Sequence, residues 1–186
     1  TNVINEMCKK NELKIIDIKS NEINGSSKQF HIAHKKSIYK QNKKVIKSTL
    51  KSEKKMKLDS VKTLKKFFKE INIIKSKLLK LLSLIKRNKK SIHAYGASTK
   101  GNVLLQYFGI GRNFIDFVAE RNPNKFNLYT PGTAIKIVSE KISRNMKPDY
   151  YLVLPWHFKK EILKREKKIM KAGSKFIFPL PKLKIY

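Results

Sequence analysis

Cysteine is nearly absent: Cys8 is the only one in 186 residues. A single thiol cannot close a disulfide within the chain, and a zinc site built on cysteines needs several. A reducing, cytoplasmic setting is the plain reading of that composition. Long apolar runs are missing too. No window of about 18 apolar residues occurs, so no spanning helix and no membrane partner are expected. The opening stretch TNVINEMCKKNELKIIDI has no basic, apolar and small-residue regions in the order of a signal peptide. It begins at Thr1 rather than Met, as expected of a fragment or a processed chain.

Acidic residues and arginine are also scarce. Thirteen Asp and Glu face 44 Lys and Arg, for a net charge of +31, and only five of those 44 are arginine. So large a positive charge points first to nucleic acid. The makeup of the charge argues otherwise, because nucleic-acid surfaces favour the planar, bidentate guanidinium of arginine. Lys, Ile and Asn together make 75 of the 186 residues. All three can be encoded by AT-rich codons, so base composition alone can produce this balance. Nucleic acid therefore ranks last among the expected partners. The usual catalytic sets are absent as well: no Ser-His-Asp group, paired carboxylates or metal cluster stands out. His31 and His34 share a strand at odd spacing, so they face opposite sides and make poor joint ligands.

What is present divides into three stretches. Residues 1–34 carry a net charge of only +1 and read as a short helix ending near Lys10, then two strands, LKIIDIKS and KQFHIAHK, joined at Asn24-Gly25. Residues 35–90 carry 21 basic and three acidic residues. After Asp59-Ser60, apolar residues at Val61, Leu64, Phe67, Phe68, Ile71, Ile74, Leu78, Leu81, Leu82 and Ile85 predict one helix over about 60–88, with lysines on its wet face. Residues 91–186 alternate strand and helix. The strands are SIHAYG, FIDFVAE, IKIV, DYYLVLP and SKFIFPLP, with KLKIY as an edge strand. The helices are GNVLLQYFG, a short SEKISRN, and HFKKEILKREKKIMKAG ending at Gly173. This alternation predicts an α/β fold, a Rossmann-like parallel sheet flanked by helices. A long basic helical linker and the remnant hairpin of an upstream domain precede it.

Ligands of such sheets sit at the carboxyl ends of the strands. Three polar loops leave those ends. The first, Tyr95–Asn102, offers Gly96 for a sharp turn, the hydroxyls of Ser98 and Thr99, the charge of Lys100, and open N–H groups near Gly101 and Asn102 where a phosphate is favoured. It fits neither Gly-x4-Gly-Lys-Ser/Thr nor Gly-x-Gly-x-x-Gly, and a tight turn with no ligand remains an equal reading. The second loop offers Arg121, Asn122 and Lys125, then a Pro131-Gly132 turn flanked by Thr130 and Thr133. The third places Trp156, which could stack a base or cap the core, beside His157, which could act as acid or base or merely cap a helix.

The segments YGASTKGNVLLQYFGI, ERNPNKFNLYTPGT, PDYYLVLPWHFKKEIL and FIFPLP resemble, in order and spacing, the C-terminal domain of the S-adenosylmethionine-dependent sugar-nucleotide C-methyltransferases. The resemblance is strongest over residues 91–181. Upstream, LKIIDIKSNEINGSSKQFHIAHK resembles the last strands of that family's methyl-donor-binding domain.

The resemblance implies a tail of that domain at 1–50, a helical linker at 51–90 and a substrate-binding domain at 91–186. It also implies a dTDP-linked keto-deoxysugar as ligand; the chemistry of the three loops then assigns its contacts to Tyr95, Gly96, Ser98, Thr99, Lys100, Gly101, Asn102, Arg121, Asn122, Lys125, Thr133, Trp156 and His157. In the full-length family a cysteine-built zinc domain and a middle domain supply structural zinc, S-adenosylmethionine and the catalytic base. Those motifs do not occur in these residues, so no cofactor, metal or catalytic residue is expected here and the chain alone is expected to be inactive. A donor-binding half supplied in trans would complete it, and apolar surface left uncovered on residues 1–50 makes self-association an expectation. Gln29 stands where the family's Arg follows the Gly-Ser turn, and Glu120 replaces an Asp before Arg-Asn-Pro. Both changes bear on sugar specificity. Two rivals stay open: a non-catalytic nucleotide-binding or regulatory module, and a basic nucleic-acid-binding protein.

Overall fold

A computed structural model describes residues 1–186. The chain divides into two compact units, Thr1–Phe68 and Lys69–Tyr186.

The first unit contains helix α1 (Asn2–Lys10), strands β1 (Leu13–Asn21) and β2 (Ser27–His34), and helix α2 (Lys43–Met56). The strands pair antiparallel with an irregularity between Ile15 and Asp17. Cys8, Ile15 and Ile18 are its buried residues, with Ile4, Phe30, Val45 and Ile46 packed around them. Asn42 caps α2 by accepting the Val45 N–H, as short polar side chains do at helix starts. Helix α3 (Val61–Arg87) follows the apolar spacing over 61–85 closely.

The second unit holds β3 (Ile92–Tyr95), α4 (Thr99–Phe108), β4 (Phe117–Glu120), β5 (Ile137–Ser139) and α5 (Glu140–Asn145). These are followed by β6 (Tyr150–Val153), α6 (Lys159–Arg165), α7 (Lys167–Lys171), β7 (Lys175–Phe178) and β8 (Lys184–Ile185). The sheet order is β5-β4-β3-β6-β7-β8, and only the β7–β8 pair is antiparallel. Counted from β3, this is the doubly wound order in which the chain leaves the first strand in one direction and returns on its other side. The crevice therefore opens between the ends of β3 and β6.

Strand residues alternate between the two faces, as the pleat requires. Ile92, Ala94, Val118, Leu152 and Ile177 join Leu78, Leu82 and Ile85 of α3 and Leu104, Leu105 and Phe108 of α4 in one core. Tyr95, Ala119, Tyr151, Val153 and Phe176 join Ile162 of α6 in the other. Both faces are buried, which is why these strands read as nearly continuous apolar runs.

Two elements differ from the sequence reading. The single helix expected over residues 157–173 is a 3-10 turn at Trp156–Phe158 followed by α6 and α7. The break falls at Glu166, whose backbone leaves helical geometry (φ −95°, ψ 16°). Its carboxylate is buried against Arg144 and Tyr95, and this tertiary anchor overrides a locally helical sequence. Helix α4 also starts two residues before Gly101, because Ser98 takes the capping position.

Candidate functional site

The loop after β3 turns on Gly96, at φ +83°. A Cβ at that position would lie 2.9 Å from Pro155 Cδ and Cγ, so the residue supplies both the left-handed turn and the close approach to the β6 loop. Ser98 Oγ then accepts the Gly101 N–H at 3.0 Å, and Ser98 O accepts the Asn102 N–H at 2.9 Å. The two N–H groups expected to be open for a phosphate are thus spent inside the helix. Gly101 has a packing role: a Cβ there would sit 2.6 Å from Leu154 Cβ.

A cleft of about 590 Å³ opens at the carboxyl ends of β3, β4 and β6. Its walls are Tyr95, Gly96, Ala97, Ser98, Glu120, Arg121 and Lys125 on one side of the crevice, with Glu140, Pro155, Phe158, Glu161, Ile162 and Arg165 completing it. Of the residues singled out in the sequence, it gathers Tyr95, Gly96, Ser98, Arg121 and Lys125. Thr99 and Lys100 are exposed on the first turn of α4. Asn122 caps the 3-10 turn at Pro123–Lys125 by accepting the Asn124 N–H. Thr133 closes its own turn through a 2.7 Å hydroxyl contact with Thr130. Trp156 is half-buried and packs against both apolar cores. His157 lies beside it, with Nδ1 buried and unpartnered; Asn102 Oδ1 is likewise unpartnered. Burial, and then the Lys100 charge, hold the His157 imidazole below its usual pKa.

Glu120 ties two of the loops together. Its carboxylate accepts the N–H groups of Ala97 at 2.7 Å, Arg121 at 2.7 Å and Asn122 at 3.0 Å. Burial opposes its charge, but these N–H donors and the nearby Lys125 ammonium outweigh that and lower its pKa. Lys125 in turn donates to the Ala97 carbonyl at 2.8 Å.

Beneath the cleft lies an ionic network whose pairings were not legible in the sequence. Tyr95 donates its hydroxyl to Glu166 Oε1 at 2.7 Å. Arg144 donates to both oxygens of Glu166, at 2.6 and 3.1 Å, and to Glu140 Oε2 at 2.8 Å. Arg165 bridges Glu140 Oε1 at 2.7 Å, Glu166 Oε1 at 3.2 Å and the Tyr95 hydroxyl. Burial raises the Tyr95 phenol well above its ordinary range. Burial works against Glu166 too, yet the Arg144 hydrogen bonds keep its carboxyl below the usual value. Glu140 was within reach of the strand-end rule, since it directly follows β5. Glu161, Arg165 and Glu166 lie inside a helical stretch and carried no such signal.

The sequence pattern of the C-methyltransferase C-terminal domain matches residues 22–181. The chain is also similar to the C-methyltransferase NovU of Streptomyces niveus, with 32% identity over 112 residues, or 60% of this chain and 27% of that protein. The match thus spans about a quarter of the relative's length.

Proposed function

The chain belongs to the family of C-methyltransferase C-terminal domains, and we propose that its cleft holds the nucleotide-linked sugar of a methyl-transfer reaction. The observation that carries this reading is the position of the cleft. It lies at the crevice beside β3, where parallel sheets bind ligands, and its volume suits a ligand of that size. Arg121 on its wall is a guanidinium suited to phosphate. A dTDP-linked keto-deoxysugar is the substrate class proposed.

The chemistry of transfer lies outside these residues on this reading. S-adenosylmethionine does not fit here: β1 and β2 form an antiparallel hairpin, with no strand-turn-helix cradle between them. The loop after β3 has one glycine at its turn, already filled against Pro155. No group of three His, Cys, Asp or Glu residues is placed to hold a metal ion, and no helix is long and apolar enough to cross a membrane. The substrate would meet its donor only when a donor-binding partner is present, in the same polypeptide or in trans.

Strand order favours a second reading, a dinucleotide-binding module. In that case an acidic residue at the end of the second strand would take a ribose. Glu120 occupies that place, but three backbone N–H groups already occupy its oxygens. Calorimetric titration of the chain with dTDP-glucose, S-adenosylmethionine and NAD separates the readings. Binding of dTDP-glucose alone, weakened about tenfold by Arg121→Gln, is the expected result. Binding of NAD instead supports the second reading, and binding of none overturns both.

A further inference from the structure

Six charged side chains line the cleft, three acidic and three basic, in a chain whose net charge is +31. The excess of lysine is therefore not concentrated at this site. Four of the six are already matched inside the protein. Glu120 receives backbone N–H groups on both oxygens. Glu140 receives Arg144 on one oxygen and Arg165 on the other. Arg165 is shared between Glu140 and Glu166, and Lys125 donates to the Ala97 carbonyl. Arg121 and Glu161 remain. Both are exposed on the cleft wall, and neither side chain has a hydrogen-bond or ion-pair partner in the chain.

These two residues come from opposite sides of the crevice. Arg121 directly follows β4, and Glu161 lies on α6, which follows β6. Strands β4 and β6 flank β3, so the two strands whose following segments carry the charges are two strand spacings apart, about 10 Å. An unpaired carboxylate can only accept hydrogen bonds, and it repels phosphate. A guanidinium can only donate, and it attracts phosphate. A ligand with an anionic end and a hydroxyl-bearing end satisfies both. A bare nucleoside diphosphate lacks the hydroxyl groups of the second sugar and keeps only its own ribose hydroxyl and base N–H as donors, so it offers Glu161 fewer partners than a nucleotide-linked sugar does.

We infer that Glu161 is a specificity-determining acceptor for the hydroxyl groups of the ligand's sugar, while Arg121 takes the phosphate, so that the cleft binds its ligand in one direction. The inference rests on the nucleotide-sugar reading above and adds the residue that reads the sugar.

The test is calorimetric titration of the full chain with two probes, dTDP-glucose and dTDP. Variants are Glu161→Ala, Glu161→Gln and Arg121→Gln, each checked for an unchanged thermal melt. Wild type is expected to bind dTDP-glucose more tightly than dTDP. Glu161→Ala is expected to weaken dTDP-glucose about tenfold and leave dTDP unchanged, since a hydrogen bond to a charged group is worth about that factor. Glu161→Gln keeps an acceptor oxygen and is expected to lose less. Arg121→Gln is expected to weaken both probes alike. If wild type binds both probes and Glu161→Ala leaves both unchanged, or weakens both equally, the role of Glu161 is overturned while the nucleotide-sugar reading stands. If wild type binds neither probe, that reading falls and takes the inference with it.

Discussion

The Glu120 carboxylate accepts the Ala97 N–H at 2.7 Å, and so joins the end of β4 to the loop that leaves β3. Two further N–H groups, from Arg121 and Asn122, converge on the other oxygen. One half-buried side chain thus sets the relative position of two walls of the cleft.

Glu120→Ala is expected to cost about 1–3 kcal/mol of stability, the penalty for leaving polar groups without a charged acceptor. Chemical denaturation measures it. The pKa of Glu120 is lowered in the folded chain, so its stabilisation is full above the ordinary carboxylate range. It is lost as pH falls through the lowered value. Wild type should lose stability along that acid limb, and Glu120→Ala should show less of it. An unchanged denaturation midpoint in the variant would remove Glu120 from this role.

Glu166 is 2% exposed and receives two arginines and a phenol. Glu166→Ala would leave Arg144 partly buried without its main counter-charge, and is expected to cost about 3–5 kcal/mol. Tyr95→Phe removes the hydroxyl that donates to Glu166 and accepts from Arg165, both of which keep other partners, and should cost about 1–2 kcal/mol. The contrast between the two is the check. Equal losses would mean that the phenol, not the ion pair, organises the floor of the cleft.

The contrast between these networks and the strands shows what the sequence could reveal. The strand at SIHAYG was legible, because a short, largely apolar run bounded by turn residues is a local property. The face of α3 was legible for the same reason at a period of 3.6 residues. The loops Tyr95–Asn102 and Glu120–Thr133 were legible as strand-end loops, and five of their residues singled out in the sequence line the cleft. The Glu166 break was not legible. Its cause is Arg144, 22 residues away, and the phenol of Tyr95, 71 residues away. The capping role of Ser98 was hidden, because Gly101 looks like a helix opener when its bareness serves contact with Leu154. Local periodicity carries the scaffold, whereas pairings between distant charged residues need the fold before they can be seen.

His93 gives a pH prediction of its own. It is buried, with Nδ1 2.7 Å from Ser143 Oγ, and Ser143 lies 3.1 Å from the Tyr151 hydroxyl. Burial lowers its pKa to about 4. The unfolded chain takes up a proton near pH 6.5, where the folded chain does not. Stability therefore falls as pH drops from about 6.5 towards 4, by about 3 kcal/mol from this group. His93→Gln keeps a hydrogen-bonding side chain beside Ser143 and does not titrate. Its denaturation free energy should be flatter over that window than that of wild type, and matching slopes would count against a neutral buried imidazole.

Gly101 separates packing from binding at the first turn of α4. Its backbone lies so close to β6 that a Cβ would stand 2.6 Å from Leu154 Cβ. The obstructing atom is next to the strand backbone, not the free end of a flexible side chain, so the helix itself must shift. Gly101→Ala gains helix propensity of about 1 kcal/mol, but overpacking at this contact should cost about 1–3 kcal/mol. The net change should be destabilising. Leu154→Ala in the same chain tests the cause. It leaves the offending Cβ in place while removing the side-chain atom 3.0 Å from the added methyl, so it should not rescue Gly101→Ala. Leu154→Gly removes that Cβ and should recover part of the loss attributable to the clash. In a double-mutant cycle by chemical denaturation, a favourable coupling between Gly101→Ala and Leu154→Gly is therefore expected. Simple additivity would mean that α4 can move away from β6 without cost, and that Gly101 is not what sets their distance.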